Sequence, residues 1–158
     1  MHMSNSFHLA LPAGDIETAE KFYTEILGCK TGNREKGKWV DIDFWGNELT
    51  LHQTKMKLPR ERHDVDMGNV PVPHFGVHLK KEVFEKIKLN LETKKISYID
   101  KPYTRFKGTK FEQNTFFMSY RCTAQPFRLL GEGKPLRVRM FLKSSPMAPK
   151  EAAGHSIE

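Results

Sequence analysis

Two histidines open apolar runs that read as copies of one another: Phe7-His8-Leu9-Ala10-Leu11 and Pro73-His74-Phe75-Gly76-Val77-His78. Neutral imidazole is the commonest side-chain ligand for a transition metal. A histidine at the same place in two copies of one unit suggests two half-domains that bring imidazoles to a shared centre. The chemistry on offer is therefore a metal site between the halves, with His8 and His74 as ligands. The competing account of each is a histidine satisfied by a hydrogen bond within the core. His78 shares a strand face with His74 by parity, and reads as a polar residue near the end of that strand. His2, His63 and His155 fall in tail and linker segments.

The elements that must position these residues follow from periodicity and punctuation. Residues 6–11 read as a buried strand and Pro12-Ala13-Gly14 as a turn. Asp15 is suited to cap a helix, on which Ile16, Ala19, Phe22, Tyr23, Ile26 and Leu27 form one apolar face. Gly28, which tolerates positive φ, stops it. Residues 39–45 alternate as a strand, Gly46-Asn47 is a turn, and residues 48–52 return as the second arm of a hairpin. Residues 53–73, with mixed charge, Pro59, Gly68, Pro71 and Pro73, read as a linker or flap. The second half repeats the plan. It has a strand over 74–79, a helix over 82–91, a short strand over 95–100, a polar loop over 103–114 and a strand over 115–119. The fold class is α+β, with two βαβββ modules forming a curved, mostly antiparallel sheet. The modules cover about 6–53 and 74–130 within one domain over 1–132, and 133–158 reads as a basic tail.

The chain has 158 residues, 38% of them hydrophobic and 28% charged, the profile of an ordinary soluble domain with a real core. No apolar stretch is long enough to span a bilayer, and no secretion signal is evident. Cys29 and Cys122 make no disulfide framework, so a cytoplasmic setting is the expectation. The net charge of +7 is scattered, and no helix-turn-helix, zinc-finger or RNA-binding signature accompanies it. We expect neither nucleic acid nor membrane as a partner.

This organisation resembles the glyoxalase/bleomycin resistance/extradiol dioxygenase group, the vicinal oxygen chelate superfamily. The resemblance rests on Phe7-His8-Leu9-Ala10, on Asp15 with Ala19-Glu20-Lys21-Phe22-Tyr23, and on Leu27-Gly28-Cys29. It continues through Gly46-Asn47-Glu48-Leu49, Pro73-His74-Phe75-Gly76, Arg105-Phe106, Gly108-Thr109, Glu112-Gln113 and Thr115-Phe116-Phe117, covering about residues 6–119. The histidine strand and the Phe-Tyr helix ending in Leu-Gly are moderately specific together and weak apart. The resemblance implies paired modules, often completed in a homodimer, with ligands from the first strand of each module and a carboxylate from the last. Carried over by position, His8 and His74 are the imidazole ligands of a divalent Fe, Mn, Zn, Ni or Co. With open positions, such an ion could hold adjacent oxygens of a small substrate.

The chain departs from the pattern after Ser119. The expected turn and Leu-Glu-Phe triplet are replaced by Tyr120-Arg121-Cys122-Thr123-Ala124-Gln125-Pro126-Phe127-Arg128, and no carboxylate lies between Gln113 and Gly131. Pro126 cannot donate to a sheet ladder, and Glu132 between two glycines suits a loop. A diverged or frame-shifted C-terminus is one account of this. An alternative frame lacking a turn followed by an apolar-Glu-apolar strand would exclude the frame shift. The repeat offers a substitute ligand. Thr50 is the first-half equivalent of the missing glutamate, and His52, two residues on, shares its strand face.

Other candidates have two readings each. Glu112 is a general base at the mouth of an apolar cup or a solvated loop residue. Arg105 binds an anionic substrate by a bidentate contact or is a surface cation. Trp45 and Phe117, with Trp39 and Phe116, line a pocket or pack the core. The cysteines, with no His/Asn arrangement nearby, read as structural. The functions that follow are a metal-dependent lyase, isomerase or dioxygenase, a metal-free drug- or toxin-binding resistance protein, or an inactive member.

Overall fold

Asp15 starts the first helix. Its carboxylate accepts from the backbone N–H of Thr18 at 3.1 Å and from the Thr18 hydroxyl, tying down an amide that the first turn leaves without an intrahelical partner. In the computed structural model, which describes residues 5–56, 61–65, 68–119 and 139–144, this cap sits between strand β1 (His8–Pro12) and helix α1 (Ile16–Lys21). The helix then widens into a π-helical turn, Phe22–Ile26, where the Leu27 N–H reaches back to the Phe22 carbonyl at 3.3 Å. The apolar spacing of Phe22, Tyr23, Ile26 and Leu27 fits either helix type, so the widening was not legible beforehand. Gly28 at φ 77° ends the helix, and the Cys29 N–H closes on the Tyr23 carbonyl at 2.9 Å.

Three strands complete the first module: β2 (Lys30–Glu35), β3 (Trp39–Phe44) and β4 (Asn47–His52). The sheet order is β1-β4-β3-β2, with β1 parallel to β4 and the other pairs antiparallel. The β3–β4 turn is Trp45-Gly46, one residue earlier than expected. Both residues take positive φ, 52° and 86°, as a tight two-residue hairpin loop requires. β2 has no apolar alternation and is exposed along its length, so nothing in its composition announced a strand. Its charged residues suit an outer strand. At Gly32 a Cβ would stand 3.2 Å from the Asp41 Cβ, so a side chain there would press on its neighbour strand.

The linker holds a hairpin of its own, β5 (Glu61–Val65) against β6 (Gly68–Val72). The second module follows: β7 (His74–Leu79), α2 (Lys81–Thr93), β8 (Asp100–Arg105), β9 (Gln113–Ser119) and β10 (Arg139–Ser144). Its order, β7-β10-β9-β8, repeats the first, again with a parallel pair between first and last strands. The chain is thus α+β, built of two βαβββ modules. Two expectations need correction. The strand expected over 95–100 lies at Asp100–Arg105, in what read as the start of a polar loop. The second module runs past the expected boundary at 130–132, because β10 comes from the segment read as a tail. Residues 120–128, which replace the family's last-strand motif, and Glu132 lie outside the described residues.

Each sheet has a helix side and an open side. Val40, Ile42, Leu49 and Leu51 are buried on the helix side of the first, and Phe116, Met118 and Leu142 on that of the second. Phe84 of α2 meets Phe116 with ring centroids 5.2 Å apart. Each such side chain contributes about 1.5–3 kcal/mol by leaving water. The two helix layers form one core. The Asn90 side-chain amide donates to the Ile26 carbonyl at 3.0 Å, and the Phe44 and Phe75 rings lie 5.8 Å apart.

Candidate functional site

Strand parity sends His8 and His74 to the open sides. Leu9 packs against the core, so His8 and Ala10 face away from it. Phe75 and Val77 likewise pack inward, leaving His74, Gly76 and His78 on the other face. Each histidine is the first residue of the first strand of its module.

On the first open face, His8 stands directly across from Glu48 of β4, and His8 Nδ1 donates to Glu48 Oε1 at 2.5 Å. A carboxylate only accepts, so Nδ1 carries a proton, and the tautomer with that proton has its lone pair on Nε2. This is the way a carboxylate orients an imidazole that ligates a metal. Both side chains are more than half exposed, so the pair itself contributes little stability. Thr50 shares this face, buried, its hydroxyl donating to Asp41 Oδ1 at 2.6 Å. His52 is on the same face at the far end of β4, four residues from Glu48, about 13 Å along the strand. The face therefore carries Glu48, Asp41 and Asp43, an acidic set.

On the second open face, His74 Nδ1 donates to the Pro71 carbonyl at 2.5 Å, which again fixes the proton on Nδ1. Its ring stands edge-on to Phe117 at 5.5 Å. The residue across from His74, in the place Glu48 has across from His8, is Arg139. A cation thus occupies the register position of a carboxylate. Tyr103 pairs with Thr115 and Arg105 with Gln113 along the same face. Asp100 is bridged by Arg62 of the β5–β6 hairpin at 3.1 Å. Among the described residues no three His, Cys, Asp or Glu side chains come together closely enough to hold a metal ion. Among the described residues the donors are one imidazole oriented by a carboxylate, His8 with Glu48, and a second imidazole, His74, held by the Pro71 carbonyl.

No family model matches the chain, and no curated protein matches it. Solved structures do. A glyoxalase/bleomycin resistance protein/dioxygenase from Alicyclobacillus acidocaldarius is 25% identical, with TM-score 0.62 over 90% of this chain and 92% of that one. The chain has the fold of the vicinal oxygen chelate superfamily. Two further neighbours of that fold are a lactoylglutathione lyase from Agrobacterium tumefaciens and the fosfomycin resistance protein FosX from Listeria monocytogenes. The first is 14% identical, with TM-score 0.55 over 91% of this chain and 96% of that one. The second is 9% identical, with TM-score 0.56 over 93% and 96%.

Within this vicinal oxygen chelate fold the other expected site residues are placed as follows. Glu112 is exposed and its carboxylate accepts the Gly108 N–H at 2.6 Å, closing the 106–112 loop. Trp45 occupies the β3–β4 turn with its ring against Phe44 at 4.8 Å. Phe117 is buried on the open face beside His74. Arg105 is half-buried on that same face, its guanidinium over the Phe106 ring at 5.1 Å. Glu48 was missed. The available signal was parity, because Glu48, Thr50 and His52 share one face of β4, and pairing a first strand with a fourth puts Glu48 beside His8. A cleft of about 310 Å³ lies elsewhere, between α1 and β2, where Glu20 is paired with Arg34. Burial pushes the Cys29 thiol up to about 12, with Asp43 adding to the effect, so it is no nucleophile at neutral pH. Among the described residues no helix is long and apolar enough to cross a membrane.

Proposed function

We propose that the chain is a small-molecule enzyme of the glyoxalase and dioxygenase type, with a divalent metal held by His8 of one module, its ring oriented by Glu48, and by His74 of the other. The observation that carries this reading is the symmetric placement of the two histidines. Each heads the first strand of its module on the helix-free face, with Nδ1–H engaged by an oxygen and the lone pair on Nε2. The two imidazole donors suit Fe, Mn, Zn, Ni or Co, and such an ion would bind adjacent oxygens of a substrate and stabilise negative charge developing on them. Glu48 would hold the His8 ring in position. Phe117 would exclude water beside His74.

β1 and β7 each end their sheets on the side that carries a histidine strand. We therefore place the complete site across a homodimer, with the His8 face of one copy's first module opposite the His74 face of the other's second. The neighbour that is a lactoylglutathione lyase and the neighbour that confers fosfomycin resistance make lyase and resistance chemistry the first to assay.

The direct test is reconstitution with Co²⁺, read by ligand-field absorption and metal content, together with sedimentation velocity. The expected result is one metal per chain in a dimer, lost in His8→Ala and in His74→Ala. Glu48→Gln should weaken binding about 10–100-fold. Metal uptake that both alanine variants retain would refute the site. A metal-free binding protein is the second reading, favoured by Arg139 across from His74. Thermal stabilisation by aromatic or cationic compounds, but by no divalent metal, would select it.

A further inference from the structure

Two donors on the open face of the second module have no acceptor among the described residues. Thr115 is 1% exposed, and its hydroxyl has no hydrogen-bond partner among the described residues. Arg105 Nε, also buried, has none either. A buried hydroxyl or guanidinium N–H left unpaired is costly, so an unpaired set needs a reason. Both lie at one place. Thr115 pairs across the sheet with Tyr103, and Arg105 follows Tyr103 by two residues on the same face of β8.

Three features of this group point to a negatively charged ligand. All three side chains can donate, and one is a permanent cation. The Tyr103 phenol is held above its ordinary pKa, by burial first, so it keeps its proton as a donor at neutral pH. The carboxylate on this face, Asp100, is occupied by Arg62 at 3.1 Å. The β10 residue across from Thr115 is Lys143, and the β7 residue across from Lys143 is His78. The matching place in the first module contrasts with this. There Thr50 is also buried, but its hydroxyl is satisfied within the protein by Asp41 at 2.6 Å.

We propose that Arg105, Tyr103 and Thr115 form an oxyanion subsite, which takes the anionic group of the small molecule bound on this face. The subsite rests on the proposed function for the idea that a small molecule binds here at all, and it adds what that molecule must carry. The ligand presents two or three acceptor oxygens on one centre, as phosphate, phosphonate and carboxylate groups do. The guanidinium supplies charge and direction, and the two hydroxyls add geometry.

The test is titration of the full-length, metal-free protein at low salt with inorganic phosphate, methylphosphonate and acetate, followed by calorimetry and amide chemical shifts. Saturable binding is expected, with shifts centred on 103–105 and 113–117. Arg105→Ala should weaken it tenfold or more, and Arg105→Lys by less. Thr115→Val should weaken it severalfold without lowering the melting temperature, which keeps the test valid if Arg105→Ala folds poorly. Lys86→Ala, an exposed cation on α2, should leave it unchanged. A preference for phosphate and methylphosphonate, or for acetate, identifies the group carried. No saturable binding of any of the three, or equal loss in Lys86→Ala and Arg105→Ala, overturns the subsite. His8→Ala and His74→Ala separate the two readings. Oxyanion binding that survives in them while metal binding is absent from the unmutated protein leaves the subsite standing without the metal site.

Discussion

The two modules share a skeleton and differ on their open faces. Both have the same strand order, a helix on one side and a histidine at the head of the first strand. On the helix sides the residues are interchangeable in kind: Val, Ile and Leu in the first, Phe, Met and Leu in the second. Across from His8 stands a carboxylate, and across from His74 an arginine. Thr50 spends its hydroxyl on Asp41, whereas Thr115 keeps its own. Packing density constrains the helix side and leaves the open side to chemistry. One face has the imidazole and carboxylate donors a cation would want. The other has the donors an anion would want.

The largest expected effects test whether the two helix layers are one core. Phe116→Ala in the second module and Ile42→Ala in the first should each cost about 3–5 and 2–5 kcal/mol respectively. Calorimetry should show a single transition in both. Two separated transitions would break the comparison into independent halves. The two buried threonines come next. Thr50→Val leaves Asp41 without its donor and should cost about 1–2 kcal/mol, whereas Thr115→Val removes an unpaired hydroxyl and should be neutral or stabilising. Equal losses in urea denaturation would show that Thr115 has an unseen partner.

The helix caps give a smaller contrast. Asp15 caps α1, but Lys80 at the same place before α2 makes no side-chain cap. Asp15→Ala should cost about 1 kcal/mol, and Lys80→Asp should gain up to about that much. Bonds to the Thr18 side chain and then its backbone hold the Asp15 carboxyl below the usual carboxylate range. The cap's contribution is therefore present above about pH 4 and is lost as pH falls through the lowered value. A flat difference between wild type and Asp15→Ala from pH 7 to pH 2 would contradict this. The smallest effect concerns Cys29. With its thiol at about 12, thiol-specific reagents should react with it at pH 8 only as fast as the chain opens. The neutral thiol's contribution to stability is fully present below about pH 8.5 and erodes as pH rises toward 12. Rapid modification of Cys29 in native buffer would refute its burial.

Much of the frame was legible because it is local. The cap at Asp15, the stop at Gly28, the apolar stripe of α2 and the alternation of β3 are set by side chains within a few residues of one another. Elements without apolar alternation, such as β2, were invisible, and so was the pairing of the charged β5–β6 hairpin. The site was half legible. The histidines announced themselves by repetition, and Arg105 by its charge. Glu48 did not, since nothing local distinguishes it from Asp41 or Asp43.

By itself the sequence determined the two modules and the two histidines, since periodicity and repetition are properties of neighbouring residues. Which residues stand beside those histidines was decided only by tertiary structure. Glu48 stands in register with His8, and Arg139 with His74, because the last strand of each module returns to lie parallel to the first. In the second module that return spans everything between β7 and β10. Register across such a distance follows from burying one face of each strand in a shared core, and no short window of residues encodes it.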